Sequence, residues 1–386
     1  MLFLTAFTMR AVDVPRSNIN PALLYWQAFS TLEALSASET TALAEFIHRT
    51  GPFDSSTAHA LLDKQERALS RFRKATESVA DCDWGMAYEE GANLPLPHIA
   101  KLQTLSRLAL LKAEILFANH QTNEAMDWLL TVHRAARHCG SGDLIIPVLS
   151  QFQIEQSVIR VTAAQVLDWD APSRLEYLSK WKNLPPLHTV KNAIKGELHY
   201  IDWMENFWLQ GVGLNITPAI ANDGIVTDSD EATMTAEERA EAEKLVAQFS
   251  AENIRKWIQE MRVICLKMQS TLDKPWLESN PTLLALQSEY KKSDNLIMRL
   301  ATPMPLHKVN DLAFKTATFN AMLQAALEHG LLLDEKKISA YKDAYLDTPL
   351  MLAYSADKTL LITVSPETLK KIGTKIELTL PLVKQK

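Results

Sequence analysis

Residues 98–118 and 122–140 read HIAKLQTLSRLALLKAEILFA and TNEAMDWLLTVHRAARHCG, and their patterning decides the fold class. In the first segment Leu102, Leu105, Ala109, Ala113 and Leu116 recur every three or four positions, and Leu108, Leu111 and Ile115 widen the stripe. That spacing puts all of them on one face of a helix. Ala125, Trp128, Leu129, Val132, Ala136 and Cys139 make the same stripe in the second segment. The polar break Asn119–Asn123 offers Thr122 as an N-cap, and Gly140 reads as the stop. Helices joined by so short a turn lie antiparallel, and Ala113, Ala125 and Ala136 allow a close approach.

The helical pattern extends outward in both directions. Upstream, Asn20-Pro21 reads as a cap followed by proline at the first helical position, opening a helix over 21–35. Ser38 is the predicted cap of a second helix ending near Gly51-Pro52, and Asp54 or Ser55 opens a third reaching about Val79. Its Arg67, Arg71, Arg73 and Lys74 read as a solvated face. Downstream, Asp143 is the expected cap of a segment running to Leu167. Helices follow to about Trp181, from His188 to Gln210, from Thr235 to Leu272, over 282–300 and over 306–329. Beyond Pro349 the period changes to two: Leu350, Leu352 and Tyr354, then Leu360, Ile362 and Val364, predict a β-hairpin, and 376–380 could add a third strand. The expected organisation is therefore mainly α, an irregular α-helical array (superhelix or bundle) with a small C-terminal β-hairpin. It divides into a helical region over 1–210, a linker over 211–234, a second helical region over 235–346 and a tail over 347–386.

Composition narrows the function classes. The chain has 386 residues, of which 47% are hydrophobic, and a formal charge of −6. That balance argues against a general affinity for nucleic acid. No stretch reaches the roughly 18 to 20 uncharged apolar residues of a membrane span. Met1–Phe7 is apolar but lacks a basic flank, and it reads at most as the remnant of an export segment. Cys82, Cys139 and Cys265 are too few and too dispersed for a metal knuckle or a disulfide framework, and each sits among apolar residues as a buried thiol would. The seven acids of 228–243 lack the spacing of a calcium loop and read as a helix start. No phosphate-binding, dinucleotide-binding, nucleophile-elbow or zinc-protease motif is present in the sequence. No cofactor and no metal site is expected.

Two groups of residues stand out as candidate sites. The first is the long segment from Asp81 to Pro97, which holds Trp84, Tyr88, Glu89 and Glu90 and leads into His98. A connection of that length, rich in aromatics, reads as a packed loop that could line a binding groove. The second is a set of carboxylates on apolar helical faces. Glu114 has Leu110, Leu111, Phe117 and Ala118 at three and four positions, Glu155 lies on the track of Val148, Phe152 and Ile159, and Glu197 shares a face with Val190, Ile194, Ile201 and Trp208. A carboxylate on such a face must be paired, hydrogen-bonded or shifted in pKa. Two of the three could converge into an acid/base pair. Alternatively each pairs with a cation such as Arg107, Arg134 or Arg160. His133 and His138 read as separate surface residues, and the aromatic helix carrying His199, Tyr200, Trp203, Phe207 and Trp208 reads as core.

The 98–140 hairpin resembles one tetratricopeptide-like repeat, although no 34-residue period flanks it. The segments Asn20–Phe29, Asp83-Trp84-Gly85, Glu89-Glu90-Gly91, Leu94–His98 and Ala135–His138 together resemble a group of uncharacterised helical proteins of planctomycete-type bacteria. In that group the C-terminal part is similar to the tail of secretion pseudopilins; here Asp347-Thr-Pro-Leu350 and Tyr354-Ser-Ala-Asp357 match it, without the intervening glycines. The resemblance implies an exported or envelope-associated protein and no particular reaction. The expected function is a non-enzymatic scaffold or binding protein with a protein partner in the cell envelope. The alternative is a hydrolase or lyase working through buried carboxylates.

Overall fold

A computed structural model describes residues 18–48, 55–78, 80–211, 250–293, 295, 305–355 and 359–381. The protein is mainly α, with a small antiparallel sheet near the C-terminal end. The helices are α1 (Pro21–Phe29), α2 (Ala37–His48), α3 (Ser55–Thr76), α4 (Pro97–Ala118), α5 (Thr122–Gly140), α6 (Ile145–Gln165), α7 (Ala171–Lys182) and α8 (Val190–Gly211). They continue with α9 (Ala251–Thr271), α10 (Trp276–Lys292), α11 (Leu306–His329), the single turn α12 (Glu335–Ile338) and α13 (Pro366–Ile372). The expected export remnant at Met1–Phe7, the acidic run 228–243 and all of the linker 211–234 except Gly211 lie outside the described residues.

The stripes of α4 and α5 are buried as their spacing predicts: Leu102, Leu105, Ala109, Ala113, Leu129, Val132, Ala136 and Cys139 are all closed to solvent. The turn between them ends α4 with His120 left-handed at φ 58°. Gln121 N–H reaches back to Leu116 O at 2.8 Å and so satisfies a carbonyl that the helix end leaves free.

Several predicted ends move. The cap of α2 is Ser36, not Ser38: Ser36 Oγ accepts from Glu39 N–H at 3.1 Å while the Glu39 carboxylate accepts from Ser36 N–H at 2.6 Å, a reciprocal capping box. Thr122 is the first residue of α5 rather than its cap. Asp143 does not cap α6; it sits at φ 51° in the preceding turn. Helix α3 stops at Thr76, and α10 begins at Trp276, earlier than its apolar stripe suggested.

Two apolar clusters hold the fold together. The first unites α1, α3, α4, α5 and α7 with the later half of α6, the later half of α11 and the sheet. The second unites α8, α9 and α10 with the first turns of α6, through Ile145, Val148 and Phe152, and of α11, through Leu306 and Val309. Helices α6 and α11 thus run through both clusters, and Gln156 Nε2 donates to Thr316 Oγ1 across their buried contact at 2.9 Å.

The sheet has three strands, β1 (Met351–Tyr354), β2 (Leu360–Thr363) and β3 (Glu377–Leu380), in the order β1-β2-β3. Leu352 faces Ile362, which in turn faces Leu378. The third strand gives the hairpin the apolar face that two strands lack: Leu360, Ile362, Leu378 and Leu380 are buried in the first cluster. Helix α13, between β2 and β3, was not anticipated; Ser365 caps it by accepting from Thr368 N–H at 3.1 Å.

Candidate functional site

The segment from Asp83 to His98 is a wedge between helices. Asn20 grips it at the start, its amide donating to Asp83 O at 2.6 Å and its carbonyl accepting from Asp83 N–H at 3.0 Å. Trp84 is 8% exposed and donates from Nε1 to His138 O at 2.8 Å. Its ring lies on His98 with centroids 4.3 Å apart and also stacks against Tyr25 and Phe29. His98 is 2% exposed, its Nε2 has no hydrogen-bond partner among the described residues, and burial lowers its pKa to about 4. The imidazole is therefore neutral at pH 7 and serves as an aromatic plate.

Further along, the Tyr88 hydroxyl donates to Gly142 O at 2.5 Å. A 3-10 turn over Tyr88–Asn93 leaves Glu89 and Glu90 exposed. Gly91, at φ 56°, presses on Trp203 of α8 so closely that a Cβ there would fall 1.9 Å from the indole. Of the five residues expected to line a groove, Trp84 and His98 are core, Tyr88 is half-buried, and only the two glutamates face solvent. The wedge joins α1, α4, α5 and α8, and its aromatics are consumed by that task.

The three glutamates fall beside the start, middle and end of α6. The Glu197 carboxylate accepts from Ile145 N–H at 3.1 Å, so a side chain of α8 caps α6 in place of Asp143. Burial raises its pKa, and that hydrogen bond opposes the rise. Glu114 accepts from Gln165 Nε2 at 3.3 Å. Glu155 is wholly buried and accepts from His133 Nδ1 at 2.9 Å and from Arg137 Nη1. With ten residues between successive contact points and 1.5 Å of rise per residue, the three sites are roughly 15 Å apart along the helix. They form no acid/base pair.

Glu155 finds its partners on α5 rather than in Arg107, Arg134 or Arg160, and His133 is wholly buried, not a surface residue. Burial alone would raise the Glu155 pKa, but His133 and Arg137 together outweigh it and hold the carboxylate well below its usual range. His133 is itself pushed down by burial, against the pull of Glu155. Arg137 is then the lasting cation, and the neutral imidazole donates its Nδ1–H, since a carboxylate can only accept. Arg137 also donates to His133 O at 3.0 Å and to Pro185 O at 3.2 Å, which ties the α7–α8 connection to α5.

Beside this buried triad lies a cavity of about 780 Å³ that sequence reading did not anticipate. It is bounded by the end of α3 with Ser78 and residues 80–82, by one face of α5, and by the end of α7 with its connection to α8. One face of α5 and the residue that follows the helix supply Arg134, Arg137, His138 and Ser141, spaced i, i+3, i+4 and i+7 in the sequence. That polar stripe, opposite the apolar one, was the available signal. Lys180 and His188 complete the basic lining, and Leu184 and Pro185 give it apolar ground.

His138 accepts from or donates to the Tyr25 hydroxyl at 2.9 Å through Nδ1. Its pKa falls to about 4, chiefly through burial and further through Arg134, His188 and Arg137. Burial lifts the Cys82 thiol to about 12, so it carries no thiolate at neutral pH. The cavity therefore offers hydrogen-bond donors and charged groups of both signs, Arg134, Arg137 and Lys180 with Glu77 and Asp81, and no thiolate nucleophile. Among the described residues no group of His, Cys, Asp or Glu is placed to hold a metal ion, and no helix is long and apolar enough to cross a membrane. No family model, no curated protein and no solved structure matches the chain.

Proposed function

We propose that the protein is a non-catalytic binding protein whose recognition site is the cavity between α3, α5 and α7. The observation that carries this reading is the polar stripe of α5, which turns Arg134, His138 and Ser141 into a pre-formed space large enough for a small organic molecule. The carboxylates that an enzyme would use are each engaged elsewhere, Glu155 with His133 and Arg137, Glu114 with Gln165 and Glu197 with the start of α6. The envelope location and the protein partner belong to this reading through the resemblance alone.

The full chain, incubated with a small-molecule extract and re-isolated, should retain a compound that is released chemically unchanged. Asn183 is exposed at the rim of the cavity, and filling the space with Asn183→Trp should abolish that retention while leaving the melting temperature in place. Turnover of the compound, or equal retention by Asn183→Trp, would overturn the reading. Fractionation of native cells checks the location, and recovery from the cytosol alone without a co-purifying protein would sink the envelope part.

A further inference from the structure

We propose that the outer face of α1, with the basic row of α3 beside it, docks on an anionic lipid membrane. Ile19, just before α1, and Leu23 and Trp26 within it are 45%, 58% and 38% exposed. Their spacing of i, i+4 and i+7 sets them in one strip. The opposite face of the helix, with Ala22, Tyr25, Ala28 and Phe29, is buried in the first apolar cluster. Folding thus accounts for one side of α1 and leaves the apolar strip on the other.

Three hydrogen bonds lay α3 alongside. Ser78 Oγ donates to Ile19 O at 2.6 Å, Arg71 Nη1 to Gln27 O at 3.2 Å and Lys64 Nζ to Ala34 O at 3.0 Å. Lys64, Arg67, Arg71, Lys74 and Ser78 recur every three or four positions, so Arg67 and Lys74 belong to the same row as the anchored residues. Both are exposed, and among the described residues neither they nor Arg71 form an ion pair. The neighbouring row of α3, Asp63, Glu66, Ser70, Arg73 and Glu77, turns instead to α4 and α5, where Glu66 meets Lys112 at 2.7 Å and Arg73 meets Asp127 at 3.5 Å. Lys101 of α4 adds a cation 5.7 Å from the centroid of the Phe29 ring, which in turn meets Trp26 edge to face. Two acids, Glu33 and Asp83, stand at the ends of the strip, held by Gln65 and Asn20.

Apolar side chains bordered by unpaired cations match a membrane surface. Tryptophan and leucine enter at the level of the head groups, while lysine and arginine meet the negative charge of the leaflet. A second copy of the chain at a two-fold interface would bring the same cations against one another, and a nucleic-acid backbone offers no apolar medium to Ile19 and Leu23. None of Ile19, Leu23, Trp26, Arg67, Lys74 and Lys101 lines the cavity, so the two sites are independent.

Co-sedimentation of the full chain with vesicles tests the proposal. Vesicles of equal parts phosphatidylcholine and phosphatidylglycerol should carry the protein down, and vesicles of phosphatidylcholine alone should not. Binding should fall as salt is raised to about 0.5 M, where screening shortens the reach of charge. Leu23→Ser should lower the partition coefficient about tenfold through lost apolar transfer, and Arg67→Gln and Lys74→Gln about fivefold each. All three side chains are exposed, so the variants keep the fold, which an unchanged melting temperature checks. Absence of binding, or equal binding to both vesicles, would overturn the proposal. Binding unmoved by Leu23→Ser and by Lys74→Gln would place the contact elsewhere in the chain. A dimer that Leu23→Ser dissociates, without vesicle binding, would give the face to a second copy instead.

Discussion

The two apolar clusters of the molecule use different means to reach a single packing. The first buries polar groups among its apolar side chains: Glu155 with His133 and Arg137, and Trp84 with His98, Tyr25 and His138. The second is built mainly from aliphatic residues, the methionines Met204, Met261 and Met268, and the aromatics Phe152, Trp257 and Tyr290, whose hydroxyl donates to the Met261 sulfur; the buried hydrogen bonds beside it, from Asn310 to Ser279 at 3.0 Å and from Asn295 to Trp257 O at 2.7 Å, join neutral groups. A buried carboxylate must keep its cation and its donor, which fixes the register of the first cluster, whereas the methionines of the second adapt to the gaps they meet. The first cluster is therefore the one whose geometry can position a site, and the cavity lies against it.

The sharpest way to break this comparison is to orphan the buried carboxylate. Arg137→Met leaves Glu155 without its lasting cation, and breaking a buried pair from one side costs about 3–5 kcal/mol. Urea unfolding should show that loss. Arg137→Met combined with Glu155→Gln should be less damaging than the sum of the two single changes, because no unpaired charge then remains buried. Additive losses would mean that the triad does not act as a unit.

Acid should also distinguish the clusters. Free imidazoles take up a proton near pH 6.5, while His98 and His138 resist protonation until about 4. The unfolded chain thus binds more protons in that interval, and stability falls as pH drops from about 6.5 to about 4, by about 1.4 kcal/mol per pH unit for each histidine. Glu155 adds its own loss only below the normal range of a glutamate, since its pKa is lowered. His98→Phe keeps a ring against Trp84 and removes one titrating group. The slope of unfolding free energy against pH should shrink accordingly, and an unchanged slope would place the acid sensitivity elsewhere.

Substitution inside the second cluster should be milder. Met268→Leu, volume for volume, should cost less than about 1.5 kcal/mol, read again by urea unfolding. A loss as large as that of Arg137→Met would erase the distinction between the clusters. Smallest of all, Lys191 and Asp273 form a pair at 2.5 Å that is 43% and 58% exposed. Lys191→Ala should change stability by less than about 1 kcal/mol, measurable as a small shift in melting temperature.

The helices were legible wherever an apolar stripe faced a polar one, as in α4 and α5, because burial of one face is a local property of the pattern. The change of period beyond Pro349 likewise announced strands. What escaped were contacts made between distant segments. Nothing near Glu155 in sequence says that its partners are His133 and Arg137, 22 and 18 residues away. The cap of α6 is even further off, 52 residues away in Glu197. The sequence of the wedge reads as ordered but not as core, since aromatics in a loop suit a groove and a buried stack equally well. Two local signals do stand in the sequence: Ser36 with Glu39 as a capping box, and Ser365-Pro366 as the opening of α13.

The first cluster draws on Ala22 and Tyr25 at one extreme of the chain and on Leu378 and Leu380 at the other. On a ribosome that emits the chain from its N-terminal end, the α4–α5 hairpin can form as soon as it emerges and α6 can join it, yet the surface of α6 that receives α11 and β3 stays bare until those segments, roughly 140 and 210 residues beyond its end, have been made. For that period the nascent protein presents a large oily face to its surroundings. The burden of keeping it from sticking falls on the speed of translation and on chaperones, rather than on any residue of the finished fold.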